Sequence, residues 1–223
     1  MTDIKEVKER LINQYKRRGY VSDEKAFDAF MRVPRELFVS EKQTSSAYFD
    51  HPLPLMNTGQ TISAPHMTVM ILDYLELEPG YKILEIGAGS GYQAALIAAV
   101  IGANKDNPGH VYSIEIVPEL VEFARNNLEK AGFSDLVTVI EGDGTLGYEE
   151  QAPYDRVIIT AAGPVVPPPL IKQLCVNGTL VIPLGRPGLW QQMTRYRKIN
   201  TTEMVKENLS SVAFVPLRGK YGV

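Results

Sequence analysis

Three glycines that follow an apolar run are the residues best suited to hold a ligand. Lys82 to Ile86 predicts a buried strand, and Gly87, Gly89 and Gly91 come directly after it, before a helical pattern. Glycines at such a turn let the backbone bend sharply and let a ligand lie against the chain. The dinucleotide-binding fingerprint has its third glycine one residue later, where this chain has Tyr92. The spacing predicts a ligand that crosses the turn without a pyrophosphate, although a purely structural turn would look the same.

Two acidic residues end the strands predicted next along the chain. Glu115 closes the first, where a carboxylate can accept hydrogen bonds from both hydroxyls of a ribose. Asp143, between Gly142 and Gly144, follows the second, where it can accept a hydrogen bond from an adenine amino group. Each acid alone is more often a solvated strand end. Because the carboxyl ends of neighbouring parallel strands line one crevice, the acids and the glycine turn together predict a cofactor site.

The elements that position these residues follow from the hydrophobic period. Helices are predicted from 4 to about 19 and at 23–33, 67–77, 92–102, 118–131 and 170–176. Strands are predicted at 82–86, 110–115, 137–140, 156–160 and 179–182, and then, without intervening helices, at 191–196, 203–206 and 212–215. This alternation predicts an α/β fold of the Rossmann-like type, with a mostly parallel, doubly wound sheet, an antiparallel C-terminal edge and N-terminal helices.

The chain is predicted to form a single domain, 1–223, in three parts. Residues 1–62 supply the N-terminal helices and a substrate-side loop, residues 63–185 the cofactor-binding core, and residues 186–223 the C-terminal strands. Within the first part, 40–63 has no lasting period but carries Tyr48, Phe49 and Leu53, which is too apolar for simple disorder. We expect this segment to be an ordered lid or wall.

Composition limits the partners to consider. The formal net charge is −3 and there is no basic run, so no nucleic-acid partner is expected. The longest apolar stretch, Ala94 to Ala103, is far below the roughly 20 residues of a membrane helix, so no membrane partner is expected. The three histidines lack metal-ligand spacing, and no metal site is predicted. The single cysteine, Cys175, fits a reducing compartment, which predicts a cytoplasmic location.

Five short segments are distinctive: Val33–Val39, Gly59–Met67, Ala152–Asp155, Ala161–Val166 and Val215–Leu217. They resemble the protein-L-isoaspartate (D-aspartate) O-methyltransferases, a family of S-adenosylmethionine methyltransferases whose glycine turns share the spacing found here. The Thr-Ile-Ser-x-Pro run within the second segment is far more specific than the glycine turn. The family transfers a methyl group from S-adenosyl-L-methionine to the α-carboxylate of L-isoaspartyl residues in damaged proteins and peptides, leaving S-adenosyl-L-homocysteine. The ester returns readily to succinimide, so repeated cycles restore aspartate.

The resemblance also implies roles for particular residues. Ser63 is implied to be the active-site residue. The implied and expected cofactor contacts are Gln60, Thr61, Ile62, His66, Glu85, Gly87, Gly89, Ser90, Gly91, Glu115, Ile116, Gly142, Asp143 and Gly144. The chain ends with Arg218–Val223, where some relatives have polar residues near the cofactor, so contacts from this tail stay open.

The expected chemistry needs no general base, because a carboxylate is already ionised at pH 7. Ser63 would donate a hydrogen bond that holds the carboxylate in line with the methyl group and the sulfur. From the residues alone, Ser63 is more often an N-cap of the helix that follows. The segments Tyr48–Met56 and Ala161–Pro169 are expected to flank the crevice and to give an extended peptide main-chain hydrogen bonds.

Two rival functions fit the same fold. The first is a methyltransferase that acts on a small molecule or on nucleic acid. Enzymes that methylate the amino groups of DNA usually carry Asn/Asp-Pro-Pro-Tyr/Phe after the fourth strand, whereas Thr160–Gly163 stands here. A non-catalytic protein that only binds the cofactor would not need Ser63, Glu115 and Asp143 together.

Overall fold

The computed structural model describes residues 3–186 and 188–223. Its helices are α1 (Ile4–Arg18), α2 (Glu24–Arg32), α3 (Pro65–Leu75), α4 (Tyr92–Ile101), α5 (Pro118–Ala131) and α6 (Pro168–Gln173). Its strands are β1 (Leu53–Leu55), β2 (Gln60–Ile62), β3 (Lys82–Ile86), β4 (His110–Glu115), β5 (Val137–Glu141), β6 (Tyr154–Ile159), β7 (Leu174–Leu184), β8 (Gln191–Lys198) and β9 (Met204–Val212).

A seven-stranded sheet of order β5-β4-β3-β6-β7-β8-β9 forms the centre of the molecule. The pairs from β5 to β7 are parallel, while β7–β8 and β8–β9 are antiparallel. The order reverses at β3, so the chain moves outward to β4 and β5 and then crosses to β6. Ligands of open α/β sheets bind at such a switch point, beyond the carboxyl ends of the strands.

Helix α4 occupies the most apolar position in the fold. All ten of its residues are buried, and it packs against α2, α3 and α5 and against β4 and β5. A helix that is apolar all round has to be covered on every side. Helix α2 supplies part of the cover that the sheet cannot.

The segment from Ser40 to Ser63 is an ordered wall, as its apolar residues predict. It contains a short 3₁₀ helix (Glu41–Ser46) and then an antiparallel hairpin of β1 and β2. Tyr48, Leu53 and Leu55 are buried. The two strands were not predicted from the sequence, because three residues are too few to show an alternating hydrophobic pattern.

Two predictions about the C-terminal half are wrong. The predicted helix 170–176 ends at Gln173, because Leu174 already pairs with Tyr154 in the sheet. The tail has two strands, not three: β9 runs on to Val212, and the predicted strand 212–215 is replaced by an extended segment that forms a single bridge between Ala162 and Pro216. Within the described ranges, no helix is long and apolar enough to cross a membrane.

Candidate active site

A cleft opens at the carboxyl ends of β3, β4 and β6, and its empty space, with the open solvent at its mouth included, is about 820 Å³. Most of the residues expected at the site line it together: Gln60, Thr61, Ile62, Ser63, Gly87, Gly89, Ser90, Glu115, Ile116 and Gly144. Segments far apart in sequence therefore converge on one cavity.

The glycine turn needs its first glycine for two separate reasons. Gly87 has a φ of +96°, and a Cβ added there would lie 2.5 Å from Oγ1 of Thr160. That hydroxyl donates to the carbonyls of Ile86 and Gly87 at 2.9 and 2.8 Å, so Thr160 is held against the turn. The end of β6 therefore fixes the shape of the turn, and no other residue type fits at Gly87 without moving Thr160.

Glu115 ties the end of β4 to the glycine turn. One carboxylate oxygen accepts the main-chain N–H of Gly89 at 2.8 Å, and the other accepts that of Val117 at 3.0 Å. Glu115 is 5% exposed and lines the cleft. A carboxylate has about four lone-pair positions, so each oxygen keeps acceptor capacity for a further donor. This geometry suits a ligand with two neighbouring hydroxyls.

Ser63 lies between β2 and α3 and is not the helix cap. The N-cap of α3 is Ala64, and no side chain caps that end. The Ser63 carbonyl accepts a hydrogen bond of 2.7 Å from Arg35, while its hydroxyl has no hydrogen-bond partner in the described part of the chain. Capping, the structural alternative from the sequence, is therefore not what Ser63 does, and its hydroxyl remains available in the cleft wall.

His66, Glu85, Gly91, Gly142 and Asp143 do not line the cleft. Nδ1 of His66 lies 2.8 Å from Oδ1 of Asp50, which also accepts the His66 main-chain N–H at 3.0 Å and the Tyr15 hydroxyl at 3.0 Å. Burial acts to raise the pKa of Asp50, but the hydrogen bonds from His66 outweigh it and hold that pKa below its usual value. His66 thus joins the wall segment to α3.

Glu85 is fully buried on β3, behind the glycine turn. One of its oxygens pairs with the Ser113 hydroxyl, and the other has no partner among the described residues. Burial raises the pKa of Glu85 to about 8, with the nearby Glu115 adding to the effect and Ser113 opposing it. At neutral pH this side chain is therefore mainly protonated.

Both carboxylate oxygens of Asp143 already have protein donors. Oδ1 accepts the main-chain N–H and hydroxyl of Thr145 at 2.9 and 2.7 Å, and Oδ2 accepts the main-chain N–H of Lys220 at 2.8 Å. Although burial opposes it, this bonding lowers the pKa of Asp143. The predicted contact with an adenine amino group stays a prediction, and the structure gives Asp143 a definite second role as the anchor of the tail.

The sequence analysis missed the C-terminal wall of the cleft. Val215, Pro216, Leu217 and Arg218 line it, held by hydrogen bonds of 2.8 Å that join Ala162 to Val215 and to Leu217. The Val-Pro-Leu motif was visible in the sequence, but nothing in its pattern showed which loop it would reach. Thr68 and Gln93 also line the cleft without having been singled out, and Ala161 lines it at the start of the segment expected to flank the crevice.

The switch point at β3, the glycine turn, the acid at the end of β4 and the antiparallel last strands define the class of Rossmann-like methyltransferases. Among the residues that the structure describes, no group of three or more His, Cys, Asp or Glu side chains could hold a metal ion.

The comparisons with known proteins identify the family. The family model for protein-L-isoaspartate(D-aspartate) O-methyltransferase matches residues 5–222. A protein-L-isoaspartate O-methyltransferase of Hyperthermus butylicus is 50% identical over 98% of this chain and 91% of its own, and one of Pyrococcus horikoshii is 45% identical over 100% and 99%. The chain belongs to the protein-L-isoaspartate (D-aspartate) O-methyltransferase family, as the sequence motifs predicted.

Solved structures agree with the assignment of fold. A protein-L-isoaspartate O-methyltransferase structure has a TM-score of 0.85 and 30% identity, over 96% of this chain and 67% of the other. A Plasmodium falciparum protein assigned to the same enzyme type, in complex with S-adenosyl-L-homocysteine, has a TM-score of 0.84 and 27% identity, over 98% and 99%. The predicted Rossmann-like methyltransferase fold is confirmed.

Proposed function

We propose that this protein transfers the methyl group of S-adenosyl-L-methionine to the α-carboxylate of L-isoaspartyl residues in damaged proteins and peptides. The observation that carries the proposal is the convergence of Ser63, the glycine turn and Glu115 on one cleft. Family membership over residues 5–222 supports both the donor and the acceptor.

The residues present fit the methyl donor. Glu115 lies at the cleft with unused acceptor capacity, which suits the two ribose hydroxyls. Gly87 and Gly89 leave the main chain bare where the nucleoside would cross. When bound, the donor supplies an electrophilic methyl group on a sulfonium. Cofactor contacts are also proposed for five residues that do not line the cleft: His66, Glu85, Gly91, Gly142 and Asp143. These residues would support the cofactor through the residues that line the cleft.

The protein's own contribution is to orient the acceptor and exclude water. An isoaspartyl carboxylate is ionised at neutral pH and needs no base. In the proposed reaction the hydroxyl of Ser63, which lines the cleft, would donate a hydrogen bond to one carboxylate oxygen and leave the other oxygen to attack. Orientation of this kind can lower a barrier by roughly 7–11 kcal/mol.

The peptide would enter between the wall segment and the loop after β6. Phe49, Met56 and Val165 are exposed there, with Val165 56% exposed. The N–H groups of Ala162 and Gly163 already bond to Val215 and Pro183, so strand-like pairing with a peptide would have to use the loop beyond Gly163. Four of the residues from 164 to 169 are prolines, which have no N–H group, so only Val165 and Val166 can donate main-chain hydrogen bonds to the peptide there.

Methyl transfer from labelled S-adenosyl-L-methionine to paired peptides tests the function. One peptide contains L-isoaspartate, and the other contains L-aspartate at the same position. Labelling of the first peptide alone is expected, and Ser63→Ala should reduce it. Equal labelling of both peptides, or of neither, would refute the substrate assignment.

Double-stranded DNA in a parallel reaction tests the expectation that nucleic acid is not an acceptor, which the net charge of −3 supports. We also propose a cytoplasmic location, supported by the single cysteine.

A further inference from the structure

Arg35 is a fully buried cation directly behind Ser63. It lies in a short 3₁₀ helix (Arg35–Phe38) after α2 and is 0% exposed. In the described part of the chain it makes no ion pair with a carboxylate within 4.0 Å. A charge taken out of water without a counter-ion costs folding free energy, so its retention calls for an explanation.

The contacts of Arg35 place its charge one residue layer from the cleft. Nη2 donates to the Ser63 carbonyl at 2.7 Å, and Nε donates to the Ala47 carbonyl at 2.7 Å. The guanidinium carbon lies 4.9 Å from the ring centre of Tyr92, and both Tyr92 and Ser63 line the cleft. Nη1 is buried and has no partner among the described residues. Arg35 therefore joins Ala47 and Ser63, at two places in the wall segment, while part of its hydrogen-bonding capacity stays unused.

The acidic groups Asp50 and Glu36 are committed to other donors. Asp50 accepts hydrogen bonds from Tyr15 and His66. Glu36 accepts the Tyr48 hydroxyl, which in turn accepts the Arg35 main-chain N–H at 3.1 Å. The positive potential of the guanidinium is thus incompletely matched within the protein and extends toward Ser63.

We propose that the buried charge of Arg35 makes the site select an anionic acceptor: the carboxylate of the methyl acceptor, lying at Ser63, is the missing counter-charge. This inference rests on the proposed function and adds a selectivity residue to it. Arg35 acts through the Ser63 main chain and through its electric field, so it is a positioning residue. A neutral acceptor of the same shape would leave the charge unmatched, in a surrounding of low dielectric where that loss is large. The methyl donor also carries a carboxylate, and the experiment has to separate the two.

Binding of matched peptides tests the inference. The protein, saturated with S-adenosyl-L-homocysteine, is titrated with an isoaspartyl peptide and with the same peptide carrying an α-carboxamide. Wild-type protein should prefer the carboxylate. In Arg35→Gln, which keeps N–H donors but loses the charge, the carboxylate-to-amide affinity ratio should fall about tenfold or more. In Arg35→Lys, which keeps the charge, the ratio should stay within about threefold of wild type.

Arg156 provides a matched control. It is also buried, donates to the carbonyls of Leu75 and Glu76, and lies 4.5 Å over the ring of Tyr81. It is paired with Ile83 near the start of β3, at the opposite end of the sheet from the cleft. Arg156→Gln should therefore lower thermal stability as a lost buried arginine does, without changing the affinity ratio.

Two results would overturn the inference. One is an unchanged ratio in Arg35→Gln. The other is a loss of S-adenosyl-L-homocysteine affinity in that variant with the peptide ratio intact, which would assign the charge to the donor's carboxylate. If Arg35→Gln does not fold, wild-type protein still decides the matter, because equal affinity for the carboxylate and amide peptides contradicts the proposal. Selective labelling of the isoaspartyl peptide by wild-type protein tests the proposed function separately.

Discussion

At the scale of single residues, Ser63 is the clearest case of a side chain without a structural task. Helix α3 is capped by no side chain, and the hydroxyl of Ser63 bonds to no residue in the described ranges. A serine that neither caps nor packs contributes little to stability, so its removal should show almost only in chemistry.

Ser63→Ala should therefore reduce turnover at least tenfold while changing the free energy of unfolding by less than about 0.5 kcal/mol. Initial rates with an isoaspartyl peptide and thermal unfolding of the same preparation provide both numbers. Ser45→Ala, at an exposed position of the wall segment, is the control and should change neither. A loss of stability without a loss of turnover would return Ser63 to a structural role.

Unlike Ser63, Glu115 has a structural role, because its two carboxylate oxygens accept hydrogen bonds from the main-chain N–H groups of Gly89 and Val117. Glu115→Gln leaves one acceptor oxygen for main chain and ribose together. S-adenosyl-L-homocysteine should bind about 1–3 kcal/mol more weakly, measured by titration calorimetry. The exposed Glu119 nearby on α5 gives the control Glu119→Gln, whose affinity should match wild type. Equal affinities in the two variants would remove Glu115 from the cofactor site.

At the scale of elements, most helices and parallel strands could be predicted because each carries its own local signal. Helix α5 begins with Pro118 and ends at Gly132 in the left-handed conformation, as its sequence indicates. The hairpin of β1 and β2 and the path of the tail could not be predicted. The hairpin strands have only three residues each and show no period. The path of the tail depends on partners distant in sequence, such as Ala162 for Pro216.

In the site, too, residues with a local sequence signal were predicted and those placed by tertiary contacts were not. The residues of the Gln60–Ser63 segment and of the glycine turn were found from motifs and strand ends, and the structure brings them to one cleft. The wall made by Val215–Arg218 was missed because it reaches the cleft through tertiary contacts. Asp143 was found by its position, but its bond to the Lys220 main chain was not foreseeable from the sequence.

The tail offers a prediction at this scale. Gly219 has a φ of +125°, and a Cβ there would lie 2.0 Å from Oδ1 of Asp143. Gly219→Ala must therefore displace the tail or Asp143. We expect it to lower stability by about 1–3 kcal/mol and to weaken S-adenosyl-L-homocysteine binding as the wall of Arg218 moves.

Gly132→Ala separates backbone strain from this steric effect. Gly132 has a φ of +75°, and a Cβ there would meet nothing within 4 Å. This variant should lose about 1 kcal/mol of stability with cofactor affinity unchanged. If Gly219→Ala behaves in the same way, the tail does not shape the site.

At the scale of the whole molecule, the buried Glu85 couples stability to pH. Its pKa rises from 4.5 to about 8 on folding. Between these values the folded protein keeps a proton that the unfolded chain has released, so raising the pH favours unfolding. The stability that protonated Glu85 contributes to the folded protein is fully present below pH 4.5 and is lost as the pH rises through about 8.

Thermal unfolding of wild type and Glu85→Gln from pH 5 to 8 tests this coupling. The stability of the variant relative to wild type should increase steadily with pH across that range. Asp50 and Glu76 have pKa values lowered by their partners, so their effects on stability change with pH only below this range. His110 titrates in both proteins, so its effect is removed when the variant is compared with wild type. A difference that does not change with pH would show that Glu85 is ionised in the folded protein.

The central claim for the whole molecule is that one cleft holds the donor and the acceptor together. A crystal structure with S-adenosyl-L-homocysteine and an isoaspartyl peptide tests it most directly. We expect the ribose hydroxyls on Glu115, the sulfur over the glycine turn, and the isoaspartyl carboxylate between the sulfur and the Ser63 hydroxyl. A nucleoside seated outside this cleft, or a peptide whose carboxylate lies away from Ser63, would contradict the account.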